Sequence, residues 1–171
     1  MVWVSEIPSE KPTAPDRFAV RRAATEDARA IARILRLSFA GYKPKYSAKA
    51  YRATVLKPAD IIGRLGEGPT WVATSNDGLI GTISALVTSE GLYVRSMAVS
   101  PASQGRGVGH ALLGAVQVFA EQNGLTRMYL STTPFLTAAI RLYEESGFVH
   151  CPGGPSDLFG TPLFTMSKTV P

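Results

Sequence analysis

Three glycines alternate with other residues in the nine-residue stretch QGRGVGHAL, which runs from Gln104 to Leu112. A strand-like run ending at Val99-Ser100-Pro101 comes before it, and an apolar pattern typical of a helix follows it. Glycine permits positive φ angles, and such a loop presents unpaired backbone N–H groups at the positive end of a helix dipole. The stretch therefore predicts a phosphate-binding loop between a strand and a helix.

The composition is that of an ordinary globular protein, with 171 residues of which 45% are hydrophobic and 18% are charged. Lys and Arg exceed Asp and Glu by 18 to 13, a net charge of +5 that suits an anionic ligand without requiring nucleic acid. The single cysteine, Cys151, excludes a disulfide within the chain, and no His/Cys cluster indicates a metal site. Because no apolar run is long enough to span a bilayer, we expect no membrane partner and a cytoplasmic location.

The predicted elements include both strands and helices. Residues 1–16 contain three prolines and are predicted to be a flexible N-terminal tail, whereas residues 17–171 are predicted to form one domain. Turns at 76–78 and 90–91 make the strands around them antiparallel, and a helix between 92–99 and 128–132 makes that pair parallel. Strands are predicted at 18–22, 70–75, 79–88, 92–99, 128–132, from 148 and at 163–168, and helices around 28–39, 58–65, 108–120 and 134–146.

Two familiar nucleotide loops do not fit the glycine-rich stretch. A P-loop requires Gly-Lys followed by Ser or Thr, which the sequence lacks. A dinucleotide fingerprint requires glycine at the position of His110 and a βαβ unit, whereas the strands before Gly105 are predicted to be antiparallel.

Two motifs in order make the chain resemble the GCN5-related N-acetyltransferase (GNAT) superfamily. Gln104, Gly107 and Gly109 match its Gln/Arg-x-x-Gly-x-Gly/Ala loop. Residues 139–148 match its Ala-x-x-Leu-Tyr-x-x-x-Gly-Phe segment, and the resemblance covers roughly residues 17–169. It implies an α+β fold of three layers, with a mixed, mostly antiparallel sheet of six to seven strands flanked by about four helices. A V-shaped splay is then expected between the strands at 92–99 and 128–132.

The resemblance also implies an N-acetyltransferase that moves the acetyl group of acetyl-CoA to a primary amine by direct attack, without a metal. Pantetheine would pair with the backbone of Met97, Ala98 and Val99, where an N–H also stabilises the oxyanion. Tyr143 matches the tyrosine that protonates the departing thiolate. The remaining residues expected to bind the cofactor are Gln104, Gly105, Arg106, Gly107, Val108, Gly109, His110 and Thr132.

The sequence leaves the general base and the acceptor open. Relatives often carry Glu at the position of Tyr93, so Glu90, Tyr93 or a water molecule remain the alternatives. The acceptor is expected to be a small-molecule or peptide amine, bounded by residues 40–65, the turn at Glu90 and the loop 152–162. A non-catalytic acyl-CoA sensor and a transferase for another acyl-CoA are the competing functions. Homodimers are common in the family, so a homodimer is also compatible with the resemblance.

Overall fold

The computed structural model describes residues 17–171, so the predicted tail at 1–16 lies outside the described residues. Within the described range the α-helices are α1 (Ala28–Phe39), α2 (Ala48–Thr54), α3 (Pro58–Glu67), α4 (Val108–Gln122) and α5 (Thr137–Glu145). The strands are β1 (Ala19–Arg22), β2 (Thr70–Ser75), β3 (Gly78–Thr88), β4 (Gly91–Val99), β5 (Arg127–Thr132), β6 (Val149–Cys151), β7 (Asp157–Leu158), β8 (Thr161–Pro162) and β9 (Phe164–Thr169).

Seven strands form one sheet in the order β1-β2-β3-β4-β5-β9-β6. Every neighbouring pair is antiparallel except β4 and β5, which are parallel because α4 carries the chain back between them. The predicted mixed, mostly antiparallel sheet is therefore confirmed. The predicted irregular loop at 152–162 contains the separate two-stranded ribbon β7-β8.

Successive residues of β2 point to opposite faces of the sheet and enter two different hydrophobic clusters. Trp71 and Ala73 pack in the cluster that holds the apolar side of α4 and residues of α5. Val72 packs on the other face with Ile31, Ile34 and further residues of α1 and α3. Helices thus cover both faces of the sheet, as the three-layer prediction requires.

The parallel strands β4 and β5 separate soon after they begin. They pair only at Leu92–Met128 and Tyr93–Tyr129. Farther along, the register between β3 and β4 shifts, with Ser84 opposite Arg95 but Thr82 opposite Ala98, so β4 carries one extra residue. Such a bulge bends its strand and increases its local twist, which explains why β4 departs from β5. The predicted V-shaped splay is confirmed.

Two helical predictions differ from the structure. The short helix α2 lies in a stretch whose mixed aromatic and basic residues show no helical period, so five helices flank the sheet rather than about four. Helix α5 begins at Thr137, because residues 134–135 form a turn in which the Leu136 N–H donates to the Thr133 carbonyl oxygen at 3.1 Å. No helix within residues 17–171 is long and apolar enough to cross a membrane.

Candidate active site

A cavity of about 620 Å³ occupies the gap between β4 and β5. Its walls include residues of both strands, the loop before α4 and one side of α5. The aromatic side chains of Phe39, Tyr42 and Tyr46 close it on the side of α1 and the segment that follows. The splay of the two parallel strands therefore creates a pocket that continues to the N-terminus of α4.

The loop before α4 has the backbone conformation that its glycines predict. Gly105 and Gly107 have φ angles of 77° and 81°, in the region that disfavours residues with a Cβ atom. Among the described residues, the first N–H of α4 that donates to a backbone carbonyl is that of Ala111, which donates to Gly107 at 3.0 Å. The preceding N–H groups of the first helical turn have no acceptor within the helix and lie at its positive end.

Gly109 has a different role from the two glycines before it. A Cβ atom at this position would lie 2.7 Å from Cδ2 of Leu142, on α5. A larger residue here would require the Leu142 side chain to shift. The third glycine of the loop thus lies against side chains of its neighbours, whereas the first two have the positive φ that glycine favours.

Hydrogen-bond alternation along β4 determines which backbone groups face the gap. The Ser100 N–H donates to the Ile80 carbonyl at 2.8 Å, so Ser100 and Ala98 direct their peptide groups toward β3. By the same alternation, Val99 directs its peptide groups toward the gap. The Val99 carbonyl accepts hydrogen bonds from Oγ of Ser38 at 2.9 Å and Nε2 of Gln104 at 3.3 Å. Gln104 thus holds the loop against the end of β4.

Tyr143, on α5, lines the cavity with a side chain that is largely withdrawn from solvent. The residue is 8% exposed, and its ring lies 6.0 Å from that of Phe148. Its hydroxyl makes no hydrogen bond to another residue of the described chain. Burial raises the pKa of the Tyr143 phenol, and the nearby Tyr46 raises it further, so the group keeps its proton at neutral pH.

The structure separates the two side chains considered as bases. Glu90 is 69% exposed, lies 3.8 Å from Arg127 and is not part of the cavity wall. Tyr93 lines the cavity and packs on Tyr129 at 5.2 Å, and burial raises the pKa of its phenol. In the described part of the wall Glu145 is the one carboxylate, and it lies 3.2 Å from His110, beside the glycine loop.

Most of the predicted cofactor-binding residues line the cavity. The exception is Arg106, whose neighbours Gly105 and Gly107 line the described wall while Arg106 itself does not. Thr132 lies at the open end of β5, is buried and contributes to the wall. The other predicted residues found in the wall are Met97, Ala98, Val99, Gln104, Gly105, Gly107, Val108, Gly109, His110 and Tyr143.

The structure also brings residues to the cavity that the sequence did not single out. Arg64, Arg95 and Ser96 line it beyond Met97. Ser96 is the extra residue of the bulge and has a φ angle of 52°. A signal for Arg64 was present in the sequence, since it follows the buried Ile61 by three positions and so shares the inner face of α3.

Comparison with known families matches residues 29–148 to the acetyltransferase (GNAT) family. The chain belongs to this family. Among its relatives is YjgM, an uncharacterized N-acetyltransferase of Escherichia coli, which is 34% identical over 145 residues, or 80% of this chain and 85% of YjgM. The N-acetylaspartate synthetase of Homo sapiens is 33% identical over 99 residues, or 57% of this chain and 32% of that protein.

The GNAT fold is also evident in solved structures. The PaiA N-acetyltransferase of Thermoplasma acidophilum, crystallised with coenzyme A, superimposes with a TM-score of 0.77. The match covers 90% of this GNAT chain and 99% of PaiA at 16% sequence identity. Similarity at that level of identity establishes the shared architecture.

Proposed function

We propose that this GNAT-family protein transfers the acetyl group of acetyl-CoA to a primary amine inside the cavity between β4 and β5. One observation supports the proposal above all. Strands β4 and β5 pair at only two positions, and the gap that opens between them continues to the glycine-rich N-terminus of α4. A CoA molecule needs this combination, a slot for its extended arm and a cradle for its diphosphate. PaiA, which shares the fold, was crystallised with coenzyme A.

In the proposal the diphosphate binds to the N–H groups of residues 105–110, at the positive end of α4. Arg106 adds positive charge to the same loop, and His110 and Thr132 complete the contacts. The pantetheine arm lies along β4. Because Ala98 directs its peptide groups to β3, Val99 supplies backbone groups that pair with the arm, and Met97 supplies the others.

The chemistry is a direct attack of the neutral amine on the thioester carbonyl. A C–N bond forms, and the N–H groups of Met97 and Val99 stabilise the resulting oxyanion. When the C–S bond breaks, the phenol of Tyr143 gives its proton to the CoA thiolate, and solvent then restores the phenol. Holding the two reactants together supplies much of the acceleration, so no covalent enzyme intermediate is required.

The proton released by the attacking amine passes to water. Glu90 lies outside the cavity, and the carboxylate of Glu145 belongs to the opposite end, beside His110. Tyr93, which stays neutral because burial raises its pKa, is placed to orient that water by hydrogen bonding. We further propose that residues 17–171 act as one catalytic domain, supported by a seven-stranded sheet that contains both the first strand β1 and the last strand β9.

Calorimetry with acetyl-CoA, followed by a thiol-release assay with a panel of primary amines, tests the proposal. Saturable binding and amine-dependent release of CoA are expected, together with a product larger than the amine by one acetyl group in mass spectrometry. Binding of acetyl-CoA without release on any amine would identify a sensor domain instead. Faster turnover with a longer acyl-CoA would identify a different donor.

A further inference from the structure

The cavity holds an excess of positive charge where the acceptor must sit. Arg64 reaches from α3 to the bulge of β4, where its Nη1 donates to Oγ of Ser96. The side chain is half-buried, and no carboxylate of the described chain forms an ion pair with it. A guanidinium that is partly removed from water without a carboxylate is a costly arrangement unless a ligand completes it.

The neighbouring charges do not neutralise Arg64. Arg95 also lines the cavity and pairs with Glu67, whose side chain is 52% exposed. Asp60 accepts the Lys57 N–H at 3.2 Å at the start of α3, and its charge acts on Arg64 only from a distance. Neither of these carboxylates forms an ion pair with Arg64, so its guanidinium faces the cavity without an anion of the described chain in direct contact.

Acceptors for the hydrogen bonds of these arginines are also scarce. Nε of Arg95 is buried and has no hydrogen-bond partner among the described residues. Burial lowers the pKa of Arg64, and the positive charge of Arg95 lowers it further, although the more distant carboxylates of Glu67 and Asp60 act in the opposite sense. An additional anion in this part of the cavity would relieve both effects.

The bulge places this charge next to the site of acetyl transfer. Ser96 immediately precedes Met97, and Cα atoms of consecutive residues lie about 3.8 Å apart. An anionic group held by Arg64 and Ser96 is therefore close enough to belong to the molecule whose amine attacks the thioester. A carboxylate fits best, because it carries one negative charge and its planar oxygens match the guanidinium fork.

We infer that the amine acceptor is an amino acid, whose carboxylate binds Arg64 beside Ser96 while its amino group reaches the thioester at Met97. The inference rests on the proposed acetyl transfer and adds the chemical class of the acceptor. Phe39, Tyr42 and Tyr46 then form the wall that receives the rest of the substrate. In this arrangement Arg64 selects the substrate, whereas Tyr143 acts on the CoA sulfur.

The test compares the proteinogenic L-amino acids with their primary amides, which keep the amine and side chain but replace the carboxylate with a neutral group. In the thiol-release assay we expect kcat/KM for the preferred amino acid to exceed that for its amide roughly ten- to hundredfold. Arg64→Gln is expected to remove that preference while activity on the amide persists. Arg64→Lys, which keeps the charge but loses the fork, should retain part of it.

Arg52→Gln serves as the matched control, because it removes the same charge from an exposed position on α2 outside the cavity wall. It should leave both substrates unaffected. Equal kcat/KM of the wild-type protein for amides and amino acids would overturn the carboxylate site but not the proposed acetyl transfer. An equal loss of activity on both substrates in Arg64→Gln would have the same meaning. Failure of every amine to release CoA would overturn both proposals.

Discussion

Replacing Tyr143 with phenylalanine removes a single oxygen atom from the cavity wall. The ring stays, so its contact with Phe148 at 6.0 Å persists. Because the hydroxyl has no hydrogen-bond partner among the described residues, its loss leaves no other polar group unsatisfied, and stability should change by less than about 1 kcal/mol. A general acid contributes roughly 10²- to 10⁴-fold to a rate. We therefore expect kcat to fall by that factor, which corresponds to an activation free energy higher by about 3–5 kcal/mol.

The assay is continuous thiol release with acetyl-CoA and a saturating amine, in parallel with thermal unfolding of the same preparation. Tyr143→Phe should lower kcat far more than it raises KM for acetyl-CoA. Tyr129→Phe is the matched control, since the Tyr129 hydroxyl hydrogen-bonds to Thr88 at 2.8 Å and lies outside the cavity wall. It should lose about 1 kcal/mol of stability at unchanged turnover. Unchanged turnover in Tyr143→Phe would refute the assignment of this phenol as the acid.

Three further outcomes test the fold and the loop. Gly107→Ala places a Cβ atom on a backbone with φ of 81°, which should lower the free energy of unfolding by about 1 kcal/mol. The variant should also bind acetyl-CoA more weakly in calorimetry, and unaltered binding would contradict the role of the loop. Leu112→Ala leaves a cavity at a fully buried site under the sheet, so the free energy of unfolding measured in urea should fall by about 2–5 kcal/mol. A negligible fall would contradict the packing described. Above the ordinary phenol pKa of about 10, the unfolded chain releases a proton that buried Tyr143 retains, so stability should fall with rising pH. That part of the alkaline loss should disappear in Tyr143→Phe.

Local patterns in the sequence predict the elements around the site because the signals act over a few residues. The turn at 76–78 separates two alternating runs, and the structure has β2 and β3 on either side of it. The alternating glycines predict a loop and a helix start, and α4 begins at Val108 after two residues with positive φ. The helix that follows β4 requires a parallel return, which the β4-β5 pair provides.

The helical segments with weak or misleading local signals were predicted less well. Thr133 and Pro134 are typical of a helix start, yet α5 begins at Thr137 because these residues form a turn at the cavity wall. Helix α2 has only seven residues and no clear apolar stripe, so nothing in its own pattern distinguished it from a loop.

The sequence by itself determined the succession of strands and helices along the chain and the glycine loop, because these depend on neighbouring residues, and the family motif at 139–148 singled out Tyr143. Only the tertiary structure decided that β9 lies between β5 and β6, that Glu90 lies outside the cavity wall and that Gly109 packs against the Leu142 side chain. It also brought Arg64 to Ser96, thirty-two residues later in the chain. The helical spacing from Ile61 places Arg64 on the inner face of α3, but the bulge that brings Ser96 to meet it leaves no pattern along the sequence, because it arises from strands that pair only after folding.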